Sequence, residues 1–445
     1  MQTTPPLSAE PLRFFVPPIH HRTLRNGTPV HVIAAPNEDL VTITVAMRTG
    51  ARHDVLPGET SITAQMLNRG TIRLNALAFA EEVERRGCSL RTVADNDACS
   101  VQASGLIEWF DDLVDLAAEC LLTPRFDETE LDKLRQRISA DMMVDLVDVE
   151  WLAARACALR AYDGHPYARP RNGNPASLRN LTTDALRSAH HRMINAPRHI
   201  IVAGPVDVDA VVATLDAAFG GMPTPGEIIS TPRSTMRARA GVVAPKNDAV
   251  QTAFRIALPC VSFDHPDYAA VQLVTTVLGG YTLARLFSVL REEKGYTYGA
   301  YAFSDVRPRG TTTGIVTSVG NDFTADTMDV IAEEVRRIGA ERIDDEELEN
   351  ARQQVLGTFA RSNETPQQTA SLVWTMLQHE LPFDYFERHV MRLQKLVSED
   401  LVGVQERYFS TSHWVVGVSG NPDIVRPAIA DYVDTVEDWV AEGYE

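Results

Sequence analysis

Ser61 and Gln65 stand four residues apart in GETSITAQMLNRGT, a stretch that enters and leaves at glycine and reads as a helix. Side chains at i and i+4 share a helical face, the spacing at which two donors can grip one metal ion. The donor chemistry is wrong for that purpose. A hydroxyl and a neutral amide are poor zinc donors, and Ala64 beside them has no group that could accept a proton. Ile62 with Met66, and Thr63 with Leu67, complete an ordinary amphipathic surface. Other metal-ligating residue types are scattered. His20-His21 and His190-His191 are adjacent pairs, whose side chains diverge on a helix or strand. His165 sits in a GHPY turn and reads as structural, and no H-E-x-x-H occurs. Cys88, Cys99, Cys120, Cys157 and Cys260 form no C-x-x-C, so a zinc ribbon is excluded and free, mostly buried thiols in a reducing cytoplasm are expected.

The elements that must position these residues come in two copies. RFDETELDKLRQRI starts at Arg125 and RIDDEELENARQQV at Arg342, an offset of 217 positions. At that offset Asp127/Asp344, Glu130/Glu347, Leu131/Leu348, Arg135/Arg352 and Gln136/Gln353 are identical. Each segment reads as a turn feeding an acidic helix N-terminus, where negative charge suits the helix dipole. LTTDALRSAHHRMINAPRHIIVAG, from Leu181, is echoed by LVSEDLVGVQERYFSTSHWVVGVSG, from Leu396. Each predicts a Thr/Ser-capped helix, a short loop and a β-branched strand ending in glycine. A repeat this long is a duplicated domain and not a solenoid. Strands are expected at TPVHVIAAP and VTITVAMRTG in the first half, and at GVVAPK and QTAFRIALPC in the second. A hairpin is expected around Asp95-Asn96-Asp97. GGMPTPGEIISTPRSTMRARAG reads as the linker. The expected fold is α+β, with two homologous α/β domains, each a largely antiparallel sheet packed with helices. The expected boundaries are 1–220, linker 221–240, and 241–445.

Composition narrows the function. The chain has 445 residues, 44% hydrophobic and 23% charged, enough for a sizeable core and unlike a disordered chain. Its net charge of −18 argues against nucleic-acid binding, which needs a basic face. MQTTPPLSAEPLRFF has no basic start and no apolar run, which predicts no signal peptide. No later stretch reads as a bilayer span, so a cytoplasmic location is expected.

Three blocks in order resemble the pitrilysin/insulinase family of zinc peptidases, in its half-length, dimer-forming branch. They are TGAR followed by G-x-x-x-x-x-x-x-M-L-x-x-G-T, then GHPYARPRNGNPASLRNLT, then LGGYTLARLFSVLREEKGYTYGAY. The resemblance implies half of a clam-shell chamber. It also implies an inverted zinc motif, H-x-x-E-H, in which two histidines hold the metal and the glutamate activates water. Here those positions are Ser61, Ala64 and Gln65, and the downstream carboxylate ligand falls on Asp141. The metal site is therefore degenerate, and no zinc is expected in this chain.

The same resemblance assigns Arg291 and Tyr298 to the pair that catalytic members present to the zinc from the C-terminal domain. A guanidinium and a phenol can donate to the oxygen that gains charge when water attacks a peptide carbonyl, or can hold the substrate backbone. On spacing alone they are a helix charge and a strand tyrosine, since LFSVLREEKGYTYGAY predicts a helix ending at Gly295 and then a strand. In that strand Tyr296 and Tyr298 would share one face, and Tyr301 and Phe303 the other. The expected function is that of the non-zinc subunit of a heterodimeric metallopeptidase, with a zinc-bearing homologue as partner and an unfolded peptide, such as a leader or precursor, as substrate. The alternatives are a structural subunit, as in the core subunits of a respiratory complex, and a peptide-binding homodimer without activity.

Overall fold

A computed structural model describes residues 12–441. Most of the N-terminal stretch read for a signal peptide lies outside the described residues. Two six-stranded sheets carry the fold. The first contains β1 (Ile19–Thr23), β2 (Pro29–Ala34), β3 (Leu40–Met47), β4 (Ser89–Ala94), β5 (Cys99–Leu106) and β6 (Arg198–Gly204), in the order β1-β2-β6-β3-β5-β4. The second contains β7 (Ala240–Pro245), β8 (Gln251–Pro259), β9 (Ala300–Arg307), β10 (Gly310–Gly320), β11 (Val415–Gly420) and β12 (Thr435–Asp438), in the order β12-β7-β11-β8-β10-β9. Five strands correspond one to one. In each copy one parallel pair, β2/β6 or β7/β11, sits beside three antiparallel pairs. The sheets are therefore mixed, with antiparallel pairing dominant. The edge strands differ: β1 is antiparallel to β2, while β12 is parallel to β7.

The sequence echoes are structural equivalents. Asp127 and Asp344 cap the helices Glu128–Asp145 and Asp345–Arg361, accepting from Thr129 N at 2.9 Å and Glu346 N at 2.8 Å. Arg135 Nη2 donates to the carbonyl of Leu181, and Arg352 Nη2 donates to that of Leu396 at 2.6 Å, so the identical arginines fasten the same loop in both halves. The second echo holds less evenly. Thr182 caps Thr183–Asn195, but Ser398 lies inside Ser398–Tyr408 and bonds Asp345. There Asp400 reaches back to the Val397 N–H instead, relieving Ser398 of the capping role.

One pair of equivalent helices crosses over. Val149–Ala161 and Pro366–Gln378 are related by the same offset of 217, and each packs on the sheet of the other half. Leu152 and Ala156 join Val242 and Ala244, and Cys157, Ala158 and Ala161 join Ala257 and Val415. The alanines of LAARACALRA let the helix lie close to the strands. At Gly417, on β11, an added Cβ would sit 2.4 Å from Cys157 N. Reciprocally, Pro366–Gln378 lies over β3 and β6. Separate cores form on the other faces, around Ile43, Val101, Leu113 and Ile200 in the first half and Phe254, Leu273, Ile315 and Ile331 in the second.

Candidate functional site

The helix Glu59–Leu67 is fixed at its start by Asp54, whose oxygens accept from Gly58 N at 3.1 Å and Thr60 N at 3.0 Å. Burial is the main cause that pushes this carboxyl up to about 6. Gly58 holds φ +92°, a left-handed conformation that suits glycine. Ser61 and Ala64 are buried, and Gln65 is partly exposed. The spacing expectation holds, for Gln65 Nε2 lies 3.5 Å from Ser61 Oγ. Ser61 Oγ donates to Asn172 Oδ1 at 2.7 Å, and Gln65 Oε1 accepts from Arg137 Nη2 at 2.8 Å. Arg137 lies one turn before Asp141 on Glu128–Asp145, so the helix that carries the fourth position does face Gln65.

These residues do not fit a zinc ion. The amide oxygen is engaged by a guanidinium, the hydroxyl by an asparagine, and position 64 is a methyl group. Asp141 makes no hydrogen bond to the other three and lines a cavity of about 540 Å³ between the halves. Among the described residues no group of three or more His, Cys, Asp or Glu side chains is arranged to hold a metal.

The TGAR and GHPY blocks serve as joints around this helix. In TGAR, Ala51 N and Arg52 N donate to Asp95 O and Asn96 O at 2.9 and 3.0 Å, docking the segment on the β4/β5 turn. A Cβ at Gly50 would sit 2.5 Å from the Asn96 backbone. Asp97, from the same turn, pairs with Arg52 at 3.0 Å and accepts from Tyr167 OH at 2.6 Å, and Tyr167 OH accepts from Arg309 N at 3.2 Å. His165 takes the structural role expected of it, accepting from Tyr167 N and contacting Pro232 O.

Arg291 and Tyr298 occupy a different place. Leu290 and Arg291 lie in a π-helical turn, Ser288–Glu293, closed by Gly295 at φ +67°. Gly295 N donates to Arg291 O and Tyr296 N to Leu290 O, which closes the turn. The helix therefore stops where expected, but the strand does not follow at once. β9 starts at Ala300, and Tyr296 and Tyr298 precede it. Thr297 Oγ1 accepts from Gly299 N at 3.1 Å and donates to Gly299 O at 3.0 Å, satisfying locally the groups a ladder would use. Tyr296 instead stacks on Phe323, with ring centroids 4.3 Å apart. Tyr298 is 96% exposed and borders a cavity of about 610 Å³ together with Tyr301 and Arg255. Arg291 is exposed, paired with Glu292 and placed over the Phe287 ring at 4.9 Å. It does not line that cavity.

The sequence reading missed a chain of three histidines. His21 Nδ1 lies 3.0 Å from His31 Nδ1, and His31 Nε2 lies 3.1 Å from His199 Nδ1, across β1, β2 and β6. Phe383 and Trp374 of the second half cover them. No local motif links residues so far apart in the chain; only the strand order does.

Comparison with known proteins agrees with this geometry. The family model described as "Insulinase (Peptidase family M16)" matches residues 30–173, and "Peptidase M16 inactive domain" matches residues 180–355. A Bacillus subtilis protein named "Uncharacterized zinc protease YmxG" is 25% identical over 78% of this chain and 85% of its own length. A Helicobacter pylori protein named "Non-peptidase homolog YmxG" is 20% identical over 77% and 80%. A crystal structure of a peptidase M16 inactive domain from Pseudomonas fluorescens superposes with a TM-score of 0.84 at 20% identity, covering 91% of this chain and 98% of that one. The chain belongs to the insulinase family of peptidases, and its sequence contains no H-x-x-E-H motif.

Proposed function

We propose that this chain is the non-zinc subunit of a heterodimeric metallopeptidase and lends Arg291 and Tyr298 to a zinc site on a homologous partner chain. The observation that carries the reading is exposure. The Tyr298 ring is 96% exposed and its hydroxyl makes no hydrogen bond among the described residues, while Arg291 is held only by its own helix neighbours. A tyrosine left this open gains nothing for the fold of its own chain, and among the described residues no group of His, Cys, Asp or Glu side chains is arranged to hold a metal for it to serve. Assembled against a zinc-bearing surface, the phenol and guanidinium would face the carbonyl oxygen under attack. A substrate peptide would add as a strand to a sheet edge such as β4 or β9, each the last strand of its sheet. Leader or precursor segments, being unfolded, meet that requirement.

The test needs this chain assembled with an H-x-x-E-H homologue and a peptide substrate. Tyr298→Phe removes one hydroxyl, and Arg291→Lys keeps charge but loses the planar fork. The proposal expects kcat to fall about 10²–10³-fold with assembly and zinc content unchanged. A rise in KM alone would make the pair a ground-state peptide clamp. No change in either constant would overturn the proposal and leave a structural subunit.

A further inference from the structure

The cavity of about 610 Å³ beside Tyr298 lies between the second-half sheet and the start of the crossing helix Val149–Ala161, and its volume is that of a ligand site, roughly 300–1,000 Å³. Arg255 stands on the sheet wall. On β8 it is opposite Val316 of β10 and Gly417 of β11. The crossing helix closes over Gly417, where an added Cβ would meet Cys157, so the Arg255 side chain leans the other way, toward β9. There the Phe303 ring lies against Gly314, where an added Cβ would sit 2.7 Å from it, and the Arg255 guanidinium rests 4.5 Å from the ring centroid. The stack holds the planar fork in place.

A ring is not a counter-ion. Arg255 is half-buried and makes no hydrogen bond or ion pair among the described residues. Asp305, which borders the same crevice under the helix, is already used. Arg307 holds it through two nitrogens at 2.9 and 2.6 Å, and Tyr162 OH donates to it at 3.1 Å. Glu150 is exposed on the helix wall, where its charge is screened. From the cation the cavity runs past Val316 and Tyr301 to Ser318, two residues beyond Val316 on the same face of β10. Ser318 Oγ is buried and has no hydrogen-bond partner among the described residues. Buried hydroxyls are normally paired, so this oxygen marks a second point for an occupant to satisfy.

From this layout we infer that the cavity binds an aromatic carboxylic acid with a hydroxyl at its far end: the carboxylate in the Arg255 fork, the ring between Val316 and Tyr301, and the hydroxyl on Ser318. The two oxygens of a carboxylate match the parallel donors of the fork. The ring covers apolar surface, and Ser318 can donate to the ligand hydroxyl or accept from it. The ligand is a small molecule, taken by the isolated chain without a metal or a partner, so the inference goes beyond the peptidase reading and shares with it only the neighbouring Tyr298.

Calorimetric titration of the purified full chain with para-hydroxyphenylpropionate tests it. Two comparison compounds are its amide, which has the same shape without the charge, and phenylpropionate, which lacks the hydroxyl. The expected result is binding of the hydroxy acid at least about ten-fold tighter than the amide and about three-fold or more tighter than phenylpropionate. Arg255→Gln should lose the preference for acid over amide, and Arg255→Lys, which keeps the charge without the fork, should keep only part of it. Ser318→Ala should lose the advantage of the hydroxyl and keep that of the acid. Thermal melts close to that of the parent chain show that the variants are folded; should Arg255→Gln not fold, Arg255→Lys carries the test. Equal binding of acid and amide, equal binding of the two acids, binding of none, or folded variants that keep the parent's preferences would overturn the inference. Failure here leaves the partner assay for Arg291 and Tyr298 untouched, and failure of that assay leaves this binding intact.

Discussion

Arg137 Nη2 donates to Gln65 Oε1 at 2.8 Å, placing a permanent positive charge on a side chain that the family resemblance aligns with a metal ligand. The contact engages the amide oxygen with a cation that is part of the chain. Purified protein is expected to carry substoichiometric zinc by elemental analysis. About one tightly held zinc per chain, lost on Gln65→Ala or Asp141→Ala, would contradict this.

Rebuilding the motif should therefore depend on Arg137. The variant Ser61→His, Ala64→Glu, Gln65→His, Asp141→Glu has its ligands on helices that already face each other, yet the guanidinium remains beside the site. Adding Arg137→Ala is expected to tighten zinc binding by about ten-fold or more in a competition titration, because a nearby cation opposes a second one. Ala64 is only 1% exposed, so the new glutamate should cost the metal-free protein about 1–3 kcal/mol, part of which zinc restores. Peptidase activity is expected to lag behind metal binding, since groups that orient the new ligands are absent.

Gly417→Ala should weaken the junction between the halves. Its methyl would sit 2.4 Å from Cys157 N and 2.5 Å from Cys157 Cβ, and neither the strand nor the crossing helix can shift alone. A loss of about 1–3 kcal/mol or more is expected in urea unfolding. Gly357→Ala makes a control, because a Cβ there meets nothing within 4 Å; on a helix it should be neutral or stabilising.

Acid should destabilise the protein through its histidines. Burial, then His199 and His21, hold His31 down to about 3, and burial holds His199 and His389 down to about 4. An unfolded histidine titrates near 6.5, so below that pH the unfolded chain takes protons that the native chain refuses. Stability present above about pH 6.5 is lost as pH falls toward about 4, by up to about 1.4 kcal/mol per pH unit for each such histidine. Asp54, raised to about 6, works in the opposite sense as a single group. Urea midpoints should drop between about pH 7 and pH 5, and His31→Gln with His199→Gln should flatten that drop. A flat parent profile would refute the assignment.

Much of the architecture was legible in the chain. The 217-residue offset marked the duplication, alternation marked the β4/β5 hairpin, and acidic caps marked the two equivalent long helices. These are local signals, set by which side chains can cap, alternate or turn. The absence of an H-x-x-E-H motif was legible too, because ligand chemistry is a property of residue type: Ser61, Ala64 and Gln65 cannot become histidines and a glutamate in any fold.

Contacts between distant residues were not legible, for they depend on which strands and helices become neighbours. Nothing in the sequence says that Val149–Ala161 leaves its own half to cover β7, β8 and β11, because an alanine-rich helix fits either sheet and only the packed pair selects one. The strand assigned to Tyr296 and Tyr298 failed for a related reason: Thr297 satisfies the backbone by itself, and alternation of side chains does not report that. Arg137 reached Gln65, and His21 met His31 and His199, only after the helices and strands that bear them had been brought together. Sequence fixed what each group can do chemically, while the tertiary packing decided which groups meet, since burial and hydrogen bonding act across space and not along the chain.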